Sequence, residues 1–296
     1  MPDLVSLPGP ARGNFTVPDA TLLPWSKIAA GTWEPYTFEL MDDLLGPDRA
    51  FLDVGAYVGP LSLYAASLGA SVYAIEADVD NFALLLENVR ANPELWPRIS
   101  PHFVCVADEV RIGVMSKPAG TSMSAVSTSA ASFGESAGFG ARTEWSVPCV
   151  NFGDYLEEVE RLAASSQPPI IAMDIEGAEA PALTSAFDRF ARLPPASLPP
   201  LILELHPGLA DDRVSYVASV CRVLALWPNV YFLGRENEQR CTARDGCWWP
   251  ALLLRFESVH ELARHLSVTS DDALMVFAAA EPPPRVRVGA LPKAKS

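Results

Sequence analysis

Positive charge is scarce in this chain of 296 residues. Lysine and arginine together number 22, against 36 aspartate and glutamate residues, and the net charge is −14. A surface of that sign repels the backbone of DNA or RNA, so nucleic acid is a poor candidate for a partner. A neutral or cationic small molecule suits an acidic protein better.

Long apolar runs and regular cysteine patterns are also missing. No stretch of about twenty residues is apolar enough to span a membrane. The first residues, MPDLVSLPGPARGNF, lack the basic start and apolar run of a secretory signal. Five cysteines occur without zinc-site spacing, and their odd number favours reduced thiols: Cys105, Cys149, Cys221, Cys241 and Cys247. We therefore predict a cytoplasmic protein with no membrane partner, and leave its oligomeric state open.

What the sequence does contain is an alternation of apolar runs with helical patterns. AFLDV, SVYAIE, HFVCVAD, PPIIAMDIE, PPLILELHP, NVYFLG and LMVFAA are typical of buried strands. The segments between most of them carry apolar residues at helical spacing, with Pro60 suited to a first helical turn and Asp80 to a helix cap. This alternation predicts an α/β fold with a mainly parallel sheet that is covered on both faces.

Three segments fall outside that rhythm. Residues 1–32 show few periodic signals and are predicted to be an N-terminal arm on a domain spanning 33–280. Residues 116–146 are rich in Ser, Gly and Ala, and we predict an insertion that forms either a lid or a disordered loop. Residues 281–296 are basic and rich in proline, which is typical of a tail.

One glycine that a dinucleotide site needs is missing after the first predicted strand. FLDVGAYVG has the form D-x-G-x-x-x-G, built on Asp53, Gly55 and Gly59, rather than G-x-G-x-x-G. Glu76 ends the next strand about twenty residues later, where a carboxylate can accept hydrogen bonds from ribose hydroxyls. The pattern predicts a ligand that has a ribose but no pyrophosphate. S-adenosylmethionine (AdoMet), whose sulfonium is cationic, fits that description; a merely structural strand–turn–helix is the alternative.

Together these motifs resemble the FkbM-type methyltransferases, from about residue 31 to residue 206. The similar segments are GTWEPYTFELMDDLLGPDRAFLDVGAYVG, VYAIEADVDNFALLLENVRAN, CVADEVRIGVM, VPCVNFGDYL, IIAMDIEGAEAPAL and LILELHPG. The resemblance implies a Rossmann-like class I methyltransferase fold with an antiparallel last strand. It also implies AdoMet as cofactor and methyl transfer, usually to oxygen, on small molecules and sugars.

The resemblance extends the candidate cofactor site. It includes Glu34, which could contact the amino acid end of AdoMet. The equal alternative is that Trp33 beside it simply packs this segment on the protein surface. Asp108 could reach the adenine amino group or be a plain turn residue. The cofactor-binding residues predicted overall are Glu34, Asp53, Gly55, Ala56, Tyr57, Gly59, Glu76, Ala77, Asp108 and Asp174. Tyr57 and Ala77 differ from the family, which usually has a small amide residue and a proline there.

Catalytic candidates lie at the ends of the fourth and fifth predicted strands. Asp174 ends the fourth strand at the ligand edge, where a carboxylate rarely serves packing. Glu179 is interpreted as structural, because a carboxylate in a first helical turn stabilises the helix dipole; Glu176 is intermediate. His206 is the candidate general base, with a hydrogen bond to a loop carbonyl as the alternative. Asp174 and His206 with Glu204 could hold a divalent metal, but simple hydrogen bonding is preferred.

These patterns favour an AdoMet-dependent methyltransferase, most simply an O-methyltransferase acting on a small-molecule or carbohydrate hydroxyl. A nicotinamide-dependent oxidoreductase is the first alternative; it lacks support because the G-x-G pair and a Tyr-x-x-x-Lys pair are absent. A catalytically silent AdoMet-binding module is the second. The sequence does not identify the acceptor.

Overall fold

The computed structural model describes residues 3–6, 14–118, 142–163, 165–235, 251–268 and 274–290. The strands are β1 Asp3–Ser6, β2 Asn14–Val17, β3 Ala50–Val54, β4 Ser71–Glu76, β5 Ile99–Phe103, β6 Cys105–Ala107, β7 Arg111–Pro118, β8 Arg142–Asn151, β9 Ile170–Met173, β10 Leu201–Leu205, β11 Asn229–Arg235, β12 Ala251–Arg255, β13 Leu274–Ala279 and β14 Arg287–Ala290. The helices are α1 Trp25–Ala29, α2 Pro35–Leu44, α3 Pro60–Ser67, α4 Val79–Arg90, α5 Phe152–Ala163, α6 Glu179–Ser185, α7 Phe187–Arg192, α8 Arg213–Leu224 and α9 Val259–Val268.

Nine strands form the central sheet, in the order β14-β12-β11-β13-β10-β9-β3-β4-β5. The five strands from β5 to β10 are parallel, whereas β13 runs antiparallel to both β10 and β11. This is the predicted Rossmann-like α/β arrangement, including the antiparallel strand formed by LMVFAA, and the fold prediction is confirmed.

Both faces of the sheet are buried. Neighbouring strand residues point to opposite faces, so Phe51 joins the core beneath α2, α3 and α4, while Leu52 joins the core beneath α5 to α9. All five residues of β3 are buried, which explains why its sequence is continuously apolar apart from Asp53. A carboxylate in such a strand indicates a role other than packing.

The strand order reverses between β3 and β9, because the chain continues from β3 outward to β4 and β5 before returning to β9. Ligands of open α/β sheets bind at such a point, beyond the carboxyl ends of the strands. Here the two strand ends lie very close together: the Asp174 N–H donates to the Val54 carbonyl at 2.9 Å. A Cβ at Gly55, where φ is +85°, would overlap the Asp174 carbonyl oxygen. Glycine is therefore required at this corner.

A smaller sheet, ordered β6-β8-β7, lies beside β5. The predicted strand HFVCVAD is divided between the two sheets, since Val104 turns the chain with its N–H donating to the His102 carbonyl. The predicted insertion 116–146 also begins and ends in strand structure, where Ser116 pairs with Glu144. Its central residues, 119–141, lie outside the described residues, and the lid prediction is untested.

The expectation that all cysteines are reduced is wrong for two of them. Cys105 and Cys149 are directly opposite in the parallel pair β6–β8 and form a disulfide, with Cα atoms 4.4 Å apart. They are 44 residues apart in sequence, so their pairing depends on the sheet register. Cys221 is a buried free thiol; Cys241 and Cys247 lie outside the described residues.

Local corrections concern helix ends and the C-terminal segment. Asp78, rather than Asp80, caps α4 by accepting from the Asp80 and Asn81 N–H groups. The helical segment AEAPALTSAFDRFARL, between the predicted strands PPIIAMDIE and PPLILELHP, is divided at Ala186 into α6 and α7. Within the predicted tail 281–296, residues 287–290 form β14, which pairs with β12. No helix among the described residues is long and apolar enough to cross a membrane.

Candidate functional site

A cavity of about 370 Å³ opens at the carboxyl ends of β3, β4, β9 and β10. This volume lies within the range of roughly 300–1,000 Å³ that is usual for small-molecule sites. Seven acidic residues line it: Glu34, Asp53, Glu76, Asp78, Asp174, Glu176 and Glu204. Among the described residues that line the cavity, none is Lys or Arg. The cavity therefore suits a ligand that carries positive charge.

Backbone strain is concentrated around this cavity. The non-glycine residues with positive φ in the described part of the chain are Glu34, Tyr57 and Glu176, at 39°, 54° and 54°. All three line the cavity. Each left-handed non-glycine residue costs on the order of 1 kcal/mol or more, and such residues cluster at functional sites. The strain therefore points to the same place as the sheet topology.

Glu76 ends β4 and is held in place by the main chain. The Tyr57 N–H donates to its Oε2 at 2.7 Å, and the Asp78 N–H donates to its Oε1 at 2.6 Å. Burial raises the pKa of Glu76 to about 7, despite these hydrogen bonds to the carboxylate. Each carboxylate oxygen still has a free lone pair for a ligand hydroxyl. The geometry is that of a pre-positioned acceptor for two vicinal hydroxyls.

Asp53 and Glu34 are two further carboxylates that line the cavity. Asp53 is buried and accepts from the Ser62 hydroxyl at 2.5 Å. Burial raises the pKa of Asp53 to about 6. Burial, followed by the charge of Glu204, raises the pKa of Glu34 to about 8. A cationic ligand next to these groups would favour their ionised forms.

The wall beside Glu76 contains a buried ion pair. Lys117, on β7, places its Nζ 3.1 Å from both carboxylate oxygens of Asp78 and 2.6 Å from Asp80 Oδ2. The Trp145 Nε1–H donates to the Ala77 carbonyl at 2.9 Å. Side chains from β7 and β8, next to the undescribed residues 119–141, thus hold the loop that follows Glu76.

Next to this loop the cavity becomes apolar, lined by Val104, Cys105, Val106 and Met115. A flat heterocycle fits such a surface. Asp108, the predicted adenine contact, is exposed and does not line the cavity. Its carbonyl accepts from the Asn151 side-chain amide at 2.6 Å, as in the turn-residue alternative.

At the opposite end, His206 lies behind the carboxylates of the strand ends and does not itself line the cavity. Its Nδ1 is 3.1 Å from Glu179 Oε1. Its Nε2 is 3.5 Å from Glu176 Oε2, and 3.8 Å from both Asp174 Oδ1 and Glu204 Oε1. Glu204 and His206 come from the end of β10, Asp174 and Glu176 from the turn that follows β9, and Glu179 from the start of α6.

Glu179 is a hydrogen-bonding hub rather than a simple dipole partner. It is fully buried and accepts from the Tyr216 hydroxyl at 2.7 Å and from the N–H groups of Ile175 and Gly177. Burial disfavours protonation of His206, but the hydrogen bond to Glu179 and the charges of the surrounding glutamates outweigh it and raise the pKa of His206. Burial, then the charges of neighbouring carboxylates including Glu204, holds the pKa of Asp174 well above its usual range.

The structure brings most of the predicted site residues together. Those lining the cavity are Glu34, Asp53, Gly55, Ala56, Tyr57, Glu76, Ala77 and Asp174. Gly59 lies outside it and caps α3 with φ of +92°, where a Cβ would overlap Leu85. Ser62, Lys117 and Tyr216 were missed, since nothing in their local sequence marks them. The hub role of Glu179 was missed too, because it depends on His206 and Tyr216, which are distant in sequence.

Comparisons with known proteins give no family. No protein-family model and no curated protein matches the chain. Solved structures do match, and the three described next are 9–16% identical.

A methyltransferase FkbM from Methylobacillus flagellatus KT is 16% identical, with a TM-score of 0.41, over 78% of this chain and 44% of its own. A SAM-dependent methyltransferase from Agrobacterium tumefaciens is 15% identical, with a TM-score of 0.45, over 95% and 70%. A precorrin-6y C5,15-methyltransferase from Geobacter metallireducens GS-15 is 9% identical, with a TM-score of 0.38, over 84% and 88%. This chain thus spans less than half of the first protein. At these values the neighbours assign neither family nor activity, and the chemistry of the cavity is interpreted from its own residues.

Proposed function

We propose that this protein transfers a methyl group from AdoMet to a hydroxyl of a small molecule or sugar. The observation that carries the proposal is Glu76: a buried carboxylate at a strand end, fixed by two N–H groups, at one end of an acidic cavity at the switch point. In the proposed pose its free lone pairs accept the ribose hydroxyls. The adenine packs on the apolar wall near Met115, and Glu34 and Asp53 face the sulfonium and amino groups.

A nicotinamide cofactor is disfavoured by the same geometry. A pyrophosphate needs free main-chain N–H groups at the first turn. The Gly55 and Ala56 N–H groups both donate to the Ile75 carbonyl, and the Tyr57 N–H donates to Glu76. Pro60, at the start of α3, has no N–H. The acidic lining would also repel a diphosphate.

Methyl transfer is an in-line displacement at a carbon already activated by the sulfonium. The protein must therefore mainly align the acceptor and help its proton to leave. The strand-end groups Asp174, Glu176 and Glu204 lie on the cavity wall opposite the ribose end, where an acceptor would approach the methyl group. We assign the activation of the hydroxyl to this region.

A thermal-shift panel tests the cofactor assignment. AdoMet and S-adenosylhomocysteine at a hundred times their Kd should stabilise the folded state by about 2.7 kcal/mol, which raises Tm by about 5 °C. NAD at the same concentration should leave Tm unchanged. Stabilisation by NAD and none by AdoMet would favour the oxidoreductase instead.

Methyl transfer itself is tested with methyl-labelled AdoMet and a panel of sugar, phenol and amine acceptors. We expect label on a hydroxyl, together with an equal amount of S-adenosylhomocysteine. Label found only on amines would contradict the choice of oxygen. AdoMet binding without transfer to any acceptor would favour the silent binding module.

A further inference from the structure

Glu179 fixes the orientation of the His206 ring. Glu179 already accepts hydrogen bonds from Tyr216 and from the Ile175 and Gly177 N–H groups, and it is fully buried. Glu179 Oε1 also lies 3.1 Å from His206 Nδ1. An acceptor-only carboxylate at that distance requires the proton to be on Nδ1. In the neutral ring Nε2 is therefore an unprotonated lone pair.

That lone pair faces acceptors rather than donors. Carboxylate oxygens of Glu176, Asp174 and Glu204 lie 3.5–3.8 Å from Nε2. None of these distances is a hydrogen bond. Asp174 Oδ1 is buried and has no hydrogen-bond partner among the residues that the structure describes. Only 8% of the His206 side chain is exposed, so its contact with bulk solvent is small.

The charge of the cavity also favours a bound cation beside His206. AdoMet carries a sulfonium, an ammonium and a carboxylate, and so about one net positive charge. The ion pair with Lys117 compensates Asp78, but the described residues lining the cavity include six other carboxylates and no Lys or Arg. The cofactor alone would not balance these carboxylates in their ionised forms, and three of them, Asp174, Glu176 and Glu204, lie together beside His206.

We propose that His206 Nε2 and the carboxylates of Asp174, Glu176 and Glu204 bind a divalent cation. The role we give the cation rests on the proposed function: it binds the acceptor oxygen beside the methyl group. Neighbouring donors around a six-coordinate ion with bonds of about 2.1 Å lie about 3 Å apart. The distances from His206 Nε2 to the three carboxylates, 3.5–3.8 Å, would therefore have to contract by less than about 1 Å. One imidazole and three carboxylates suit Mn²⁺ or a similar ion.

Glu179 is a positioning residue in this proposal. Atoms of Asp174, Glu179 and His206 lie within 4.8 Å of one another, which would also admit Glu179 as a ligand. Its oxygens are occupied by the partners named above, however, and a histidine ligand commonly donates its second N–H to such a carboxylate. Glu179 therefore sets the tautomer and orientation of the ligand rather than binding the ion.

The cation accounts for activation of the acceptor. A hydroxyl bound to a divalent ion loses its proton to water more readily than a free hydroxyl. The oxygen lone pair then forms the bond to the methyl carbon. The electrons of the carbon–sulfur bond return to sulfur, which leaves neutral S-adenosylhomocysteine. His206 need not reach the acceptor, in agreement with its position behind the cavity wall.

Titration of the full chain with Mn²⁺, monitored by the loss of the free-ion EPR signal, tests the site without an acceptor. The wild type should bind one ion. His206→Ala and Glu204→Gln should each weaken binding at least about tenfold, and Glu179→Gln about 10- to 100-fold. Glu87→Gln, an exposed acid on α4, is the matched control and should bind like the wild type.

Glu204→Gln keeps the test interpretable if His206→Ala fails to fold, because it changes one partly exposed group and keeps its shape. Absence of Mn²⁺ binding to the folded wild type would overturn the cation site. Equal affinity of the wild type and a folded Glu204→Gln would overturn it too. If AdoMet binding and methyl transfer persist in EDTA, the cation is overturned and the proposed function stands. If the wild type binds Mn²⁺ but not AdoMet, the proposed function is overturned and the cation site stands.

Discussion

The two ends of the cavity carry similar numbers of carboxylates but differ in the groups that stabilise them. At the ribose end, two main-chain N–H groups hold Glu76, and Lys117 neutralises Asp78. The other end is the strand-end cluster, which consists of Asp174, Glu176, Glu204 and His206. Asp174 and Glu204 have no lysine or arginine among their described ion-pair partners, and His206 is the group beside them that can carry positive charge. The protein itself therefore holds the carboxylates around Glu76 in place. The carboxylates of the strand-end cluster depend on a bound ligand for their counter-charge.

The largest effect is expected where the two ends meet, at Gly55. Gly55→Ala adds a Cβ against the Asp174 carbonyl at a φ of +85°. Left-handed strain and overlap with a fixed backbone should together lower the free energy of unfolding by about 3 kcal/mol or more. Denaturant titration measures this. Gly46→Ala is the control, since an added Cβ there meets nothing within 4 Å; equal losses in both variants would refute the close approach.

His206→Ala examines the strand-end cluster alone. It should lower turnover by roughly a hundredfold or more, because acceptor activation is lost. The affinity for AdoMet should change by less than about twofold, since Glu76 and its loop are untouched. Single-turnover kinetics and calorimetry separate the two effects. Near-normal turnover would show that this cluster takes no part in activation.

Lys117→Met examines the ribose end alone. It leaves Asp78, which is 2% exposed, without its cation, although the α4 cap hydrogen bonds remain. A buried charged group without its partner costs about 1–3 kcal/mol, in stability or in affinity for AdoMet. The double variant Lys117→Met/Asp78→Asn should recover part of this loss. No change in either quantity would mean that the pair does not support the site.

A separate prediction concerns the pH dependence of the ligand-free protein. The pKa values of Asp53, Glu76 and Glu34 are raised to about 6, 7 and 8, so the folded state keeps protons that the unfolded chain has released. Stability should therefore fall as pH rises from about 4.5 to 8. The raised pKa of His206 acts in the same direction.

Urea denaturation at pH 5.5 and pH 8 measures this slope, and Glu34→Gln should reduce it. Saturating AdoMet should reduce it as well, because a cation favours the ionised carboxylates. Stability that increases over this interval would contradict the assigned direction of the shifts.

The sequence identified candidate residues at both ends of the cavity, but not the contacts between distant segments. Asp53, Gly55 and Glu76 follow directly from strand ends and glycine spacing, because each lies within one local strand–turn–helix unit. Asp174 was predicted for the same reason. The ion pair between Asp78 and Lys117 was not, since its partners are 39 residues apart and meet only through the small sheet.

The remaining differences also depend on tertiary register. The Cys105–Cys149 disulfide follows from the pairing of β6 with β8. The role of Glu179 depends on Tyr216 and His206, which come from elements that follow it in the chain. A first-turn glutamate has the same local pattern whether it faces solvent or a buried histidine. Local pattern alone therefore could not distinguish a helix-dipole partner from a hub.

Calorimetric titration of AdoMet into wild type and Glu76→Ala tests the central claim most directly. Two ribose hydroxyls lose a charged acceptor, which is worth roughly 1.5–3 kcal/mol, so the affinity should fall at least tenfold. Glu87→Gln, exposed on α4, should bind AdoMet like the wild type. The account is contradicted if a folded Glu76→Ala variant binds AdoMet as tightly as the wild type.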